Sequence, residues 1–144
     1  MRFEDIKVGD AIASVTKPAI SRLQIALYAG AGADHNPIHV DEEAAKLGGL
    51  PGIIAHGMLP LGFLGQLLTS LVPQKQIRSM SARFVGMAFP GDVITCIGKI
   101  TGKREEAGAK LVDLEIAAQN QKGENIQLGK ATVALIEGAS RNDL

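Results

Sequence analysis

Two spacings of apolar residues divide the chain near Ile77. Downstream of it, Ile77 to Val85, Val93 to Lys103, Lys110 to Gln119 and Ile126 to Ile136 alternate apolar with polar residues or carry β-favouring ones, which predicts strands. Phe89-Pro-Gly-Asp92, Glu106-Ala-Gly108 and Gln121-Lys-Gly-Glu124 separate them as turns, and the Lys122-Gly123-Glu124 corner fits a hairpin. Upstream, a short strand is expected from Ala11 to Thr16, closed by Pro18. Ser21 then has the chemistry of an N-cap for a helix carrying Leu23, Ile25, Ala26, Leu27 and Tyr28, which fades into Gly30-Ala-Gly32. Asp41 is placed to cap a short helix, Glu42 to Leu47, with acids in its first turn, Lys46 near its end and Gly48-Gly49 beyond.

Charge sets the middle of the chain apart. None of the 15 Lys+Arg and 15 Asp+Glu falls between Leu47 and Gln74, a run long enough to cross a bilayer. Three prolines (Pro51, Pro60, Pro73), six glycines and the polar His56, Gln66, Thr69, Ser70 and Gln74 interrupt it, so its predominantly apolar part is Met58 to Val72. That is short for a span and suits a helix buried in a globular protein, beginning near His56-Gly57 with Pro60 tolerated in its first turn. Helices first and antiparallel strands after predict an α+β class rather than βαβ units. A helix apolar on nearly every side is hidden only if a curved antiparallel sheet wraps most of it.

Length and composition narrow the function. A chain of 144 residues suits one domain, 1–144, with no linker or repeat. Zero formal net charge, 3% aromatic residues and no Trp weigh against a nucleic-acid partner. The charged start MRFEDIKVGD has no apolar h-region, so no signal peptide is expected. Cys96 has no second cysteine to pair with, which makes a reducing cytoplasm the default compartment, and its strand pattern makes it core.

The candidate chemistry lies just upstream of the apolar helix. His35, His39 and His56 fall within 22 residues of one another, near the Asp34 and Asp41 carboxylates. On an ideal helix Asp34 and His39 would point about 140° apart. Pro37 disfavours a helical Asn36, so a turn is expected there, able to bring carboxylate and imidazole onto one water.

Tyr28-Ala-Gly-Ala-Gly-Ala-Asp34-His-Asn-Pro-Ile-His39, followed by Ala45, resembles the hydratase motif of the MaoC-like, (R)-specific enoyl-CoA hydratases and hydroxyacyl dehydratases. Ile54-Ala-His-Gly-Met-Leu59 is similar to a second signature of that family and Phe89-Pro-Gly-Asp92 to a third, so the resemblance runs along nearly the whole chain. It implies a single hot-dog domain, a curved antiparallel sheet around a long central helix. It further implies an enzyme acting on acyl thioesters of CoA or acyl carrier protein, working as a homodimer or as a heterodimer with another hot-dog subunit. No cofactor, metal, nucleic acid or membrane is implied. By carry-over Asp34 and His39 are the catalytic pair, and Gly57 supplies the backbone N–H that polarises the thioester carbonyl. Helix-start amides lack internal partners and favour developing negative charge, which gives that assignment independent sense. His56 and Asn36 join Gly57 as candidate substrate-binding residues, although each has a simpler reading, His56 as support for the helix entry and Asn36 as a turn-former.

The sequence departs from the family pattern at Ala33, where Gly is usual directly before the Asp, and at His35, which fills the free position. A positive φ at residue 33 would strain an alanine. Two weaker readings compete for the same residues: a metal site of Asp34, His35, His39 and Asp41, without the i, i+4 His pair that would support it, and a dinucleotide loop at Gly30-Ala-Gly32, which follows a helix and lacks a third Gly. The competing functions are a non-catalytic hot-dog subunit and a hot-dog acyl thioesterase.

Overall fold

The computed structural model describes residues 2–136, so Met1 and residues 137–144, the ends of the expected domain, lie outside the described residues. The order along the chain is β1 (Val15–Thr16), α1 (Arg22–Ala31), α2 (Glu42–Leu47), α3 (Met58–Leu71), β2 (Ile77–Phe84), β3 (Thr95–Glu106), β4 (Ala109–Gln119) and β5 (Asn125–Leu135). The strands form one antiparallel sheet in the order β1-β3-β4-β5-β2. β3, β4 and β5 follow one another as a meander, and β2 returns to pair with β5 at the edge opposite β1.

Local chemistry accounts for the helix ends. Ser21 Oγ accepts from the Gln24 amide at 3.0 Å and starts α1. Asp41 Oδ1 accepts from the Glu43 and Ala44 amides at 2.9 and 3.1 Å and starts α2. α3 has no side-chain cap; Gly57 is its N-cap and Pro60 occupies its first turn, where a missing N–H costs nothing. Between β3 and β4, Ala107 and Gly108 both have positive φ, the signature of a two-residue hairpin matched to strand twist.

One face of the sheet carries Cys96, Ile100, Val112, Leu114, Ile116, Ala118, Ala131 and Val133, all buried, and α3 lies against it through Leu59, Phe63, Leu64, Leu67 and Leu68. This is the antiparallel sheet around a central helix that the resemblance implies. Burial pushes the Cys96 thiol up to about 11, which leaves it an inert core residue. The opposite face bears the cross-strand row Lys99, Glu115, Lys130.

Two expectations are corrected. The first strand does not run from Ala11 to Thr16; Ala11 makes an isolated bridge to Lys99, and the ladder proper holds only Val15 and Thr16. Between them Ile12 folds over Gly98, where even a Cβ would come within 2.6 Å of its side chain. Nor is α3 wrapped on nearly every side in the single chain. Met58, Gly62, Gln66 and Thr69 form an open face, free of charge in sequence yet uncovered in the structure. A Cβ at Gly62 or Gly65 would meet nothing within 4 Å. Among the described residues no helix is long and apolar enough to cross a membrane.

Candidate active site

α1 delivers the chain to the site and ends at Gly32, after which Ala33 takes a φ of +52°. The strained conformation that the departure from glycine made a concern is therefore present. Asp34 comes next, and its Oδ1 accepts from the Asn36 amide at 3.3 Å, while Asn36 Oδ1 accepts from the Ile38 amide at 3.2 Å. These bonds wind Pro37–His39 into a 3-10 turn that swings His39 back toward Asp34. His39 Nε2 and Asp34 Oδ2 stand 3.8 Å apart, with the imidazole buried and the carboxylate side chain 53% exposed. Asn36 helps form the turn through its side-chain oxygen, which accepts from the Ile38 amide.

The hydrogen bonds fix the tautomers. His39 Nδ1 lies 2.8 Å from the Ile54 carbonyl, which can only accept, so Nδ1 carries a hydrogen, and in the neutral ring Nε2 presents its lone pair to Asp34. Lone pair and carboxylate face each other at a distance too long for a direct bond. A water between them that donates one hydrogen to each satisfies both. By the same reasoning His56 Nε2 carries a hydrogen, which it donates to the Asp34 carbonyl at 3.1 Å. The His56 ring stacks on His39 with centroids 3.8 Å apart and leans on Tyr28 at 4.9 Å. His56 therefore clamps both members of the pair, one by its main chain and one by its ring.

Asp34, His39 and His56 bring one potential ligand atom each within 4.8 Å of one another. The imidazoles are nearly parallel, at 27°, so their in-plane lone pairs run side by side and do not converge on an ion, and the pattern suits water better than a metal. The alternative set of Asp34, His35, His39 and Asp41 is not assembled: Asp41 is spent on capping α2 and His35 is exposed. Gly30-Ala-Gly32 forms the end of α1 and no phosphate loop.

Gly57 closes the other side of the site at the start of α3. It is helical in conformation, and among the described residues no acceptor takes its N–H. The Phe84 ring covers its Cα so closely that a Cβ would lie 2.6 Å from a ring carbon. Gln127 Nε2 donates to its carbonyl at 2.5 Å. A cavity of about 430 Å³ opens here, lined by His39, His56, Gly57, Phe84, Met87 and Ile126 among others. A larger hollow, about 1030 Å³, lies over the sheet around Ile97, Lys99, Glu115 and Lys130 and contains none of the histidines. Sequence reasoning missed Phe84 and Gln127; the available signal for the latter was a polar residue at an inward position of an alternating strand.

Residues 5–122 match a family model described as "MaoC like domain". The chain belongs to the MaoC-like family. An (R)-specific enoyl-CoA hydratase of Rhodospirillum rubrum is 38% identical over 102 residues, 69% of this chain and 69% of that protein. A fatty acid synthase subunit beta of Aspergillus oryzae is 40% identical over 76 residues, 51% of this chain but only 4% of that much longer one. Among solved structures, an (R)-hydratase from A. caviae superposes with a TM-score of 0.80 at 27% identity, covering 92% of this chain and 99% of that one. The MaoC-like domain thus has the hot-dog fold.

Proposed function

We propose that this MaoC-like domain is a hydro-lyase that adds water reversibly and syn to trans-2-enoyl thioesters, giving (3R)-hydroxyacyl thioesters. The observation that carries the reading is the tautomer-fixed lone pair of His39 facing the Asp34 carboxylate, beside the free amide of Gly57. In the hydration direction the water loses a proton to this pair as its oxygen bonds to the β-carbon. Electron density moves to the thioester oxygen, where the Gly57 N–H and the start of the α3 dipole stabilise it. The α-carbon then takes a proton from the same pair, so the atoms and charges balance without redox chemistry. A contribution of about 10²- to 10⁴-fold is the usual scale for such acid–base catalysis.

The acyl chain occupies the cavity bounded by Phe84, Met87 and Ile126, whose walls are mostly apolar. The working unit is a dimer of hot dogs, formed by two copies of this chain or with another hot-dog subunit. The open face of α3 and the exposed Phe84, Val85 and Met87 support this, since an apolar rim of that kind marks an interaction surface. Its single cysteine, free and buried, supports a cytoplasmic setting.

Incubation with crotonyl-CoA tests the activity: loss of the ultraviolet absorbance of the conjugated double bond without release of free thiol is expected. Thiol release would favour the thioesterase reading. Inertness toward crotonyl- and longer enoyl-CoA and enoyl-carrier-protein substrates would favour the non-catalytic subunit. Sedimentation of the purified protein tests the dimer.

A further inference from the structure

We infer that Gln127 is a positioning residue for this reaction, holding Gly57 so that its N–H meets the thioester oxygen. The inference rests on the hydratase reading. Gln127 projects from β5 onto the sheet face that packs against α3, paired across the strands with Phe84 on one side and Ala118 on the other. It is 1% exposed, and its inward companions along β5 are Gly129, Ala131 and Val133. Stability alone does not call for an amide there. Its Oε1 is buried with no hydrogen-bond partner among the described residues, a loss that a methionine of similar length and volume would avoid.

What the amide does make is one bond, from Nε2 to the Gly57 carbonyl at 2.5 Å. The N-cap carbonyls of α1 and α2 take the Ile25 and Ala45 amides at 3.1 and 3.0 Å, whereas the partner of the Gly57 carbonyl is the Gln127 amide. The bond therefore fixes Gly57, a residue with no side chain to restrict its backbone. Phe84, the cross-strand partner of Gln127, presses on the Cα of the same glycine. Two adjacent side chains of the sheet thus grip Gly57 at its carbonyl and at its Cα, and its amide is left as the group without an acceptor among the described residues. A donor aimed in advance at the developing oxyanion stabilises the transition state more than the bound substrate, so its loss is read in kcat rather than KM.

Gln127→Met and Gln127→Leu, assayed with the same enoyl-CoA as the wild type, decide the matter. In each variant kcat is expected to fall about tenfold or more, with KM within about twofold and Tm within a few degrees of the wild type. A purely structural amide gives the reverse split, a lowered Tm with kcat preserved in the folded fraction. A kcat within about twofold of wild type overturns the inference, as does failure of both variants to fold, which would make the amide a stability element. An inactive parent enzyme would sink the hydratase reading and this inference together, whereas an active parent with equally active variants would sink the inference alone.

Discussion

Two alanines stand at positive φ, Ala107 at +49° and Ala33 at +52°, in regions that tolerate the strain for different reasons. Ala107 and Gly108 turn β3 into β4, where the reversal suits the right-handed twist and is locked by eleven residue pairs of ladder. Ala33 has no ladder. It precedes Asp34, whose carboxylate takes the Asn36 amide and whose carbonyl takes the hydrogen of His56. Each conformation costs on the order of 1 kcal/mol. In the hairpin the cost is offset by generic strand pairing; in the loop it is offset by a few specific bonds around the proposed catalytic pair. Strain of the first kind serves the fold, and strain of the second kind serves placement.

The largest test of that distinction removes the proposed catalytic groups themselves. Asp34→Asn and His39→Gln are expected to lower kcat by about 10²- to 10⁴-fold with Tm nearly unchanged, measured by enoyl-CoA hydration and thermal melting. Wild-type rates in both would show that the loop is strained for nothing. Next in size is His56→Phe, which keeps the stack on His39 and Tyr28 but loses the hydrogen bond to the Asp34 carbonyl. About a tenfold fall in kcat is expected, because a carboxylate held only from one side misplaces the water. Equal kcat would transfer the credit to the stacking alone.

The alanines give the direct comparison. Ala107→Gly and Ala33→Gly should each raise stability, by up to about 1 kcal/mol less the greater entropy of the unfolded glycine, or roughly 3 °C in Tm. Only Ala33→Gly should also lower kcat, several-fold, as Asp34 gains freedom; equal kcat in the two variants would erase the distinction between them. The smallest effect belongs to the Arg22–Glu42 pair, which links α1 to α2 at 2.9 Å on the surface. Arg22 holds the Glu42 carboxyl below its usual range, so whatever stability the pair adds is present above that range and lost as pH falls through the lowered value. Arg22→Ala should melt within about a degree of wild type at neutral pH and indistinguishably once Glu42 is protonated.

Elements with a local cause were the ones readable from the chain. Ser21, Asp41, Pro60 and the Phe89-Pro-Gly-Asp92 turn act through neighbours in sequence, and the helices and strands they bound lie within two or three residues of expectation. β1 failed because its pairing depends on Gly98, more than eighty residues away, and on the fold of Ile12 across it. In the site, the turn that joins Asp34 to His39 arises from Pro37 and Asn36 and was legible. The His39–His56 stack and the grip of Phe84 and Gln127 on Gly57 were not, because each joins elements that only the closed sheet brings together. The open face of α3 was misread for a related reason: an uncharged helix surface looks alike whether it is buried or lined with small residues.

Three hydrogen bonds stitch residues 34–39 to residues 54–56: His56 to the Asp34 carbonyl, His39 to the Ile54 carbonyl, and the Ile54 amide to the Ile38 carbonyl at 3.2 Å. The segment between, with α2 and the exposed Leu47, is a loop whose neck is the proposed catalytic site. Opening that neck breaks few bonds and leaves the sheet intact, so it belongs to the class of local fluctuations that precede global melting. Heat should accordingly silence the enzyme reversibly before it unfolds the protein, with the amides of His39 and Ile54 exchanging against deuterium ahead of those of β4.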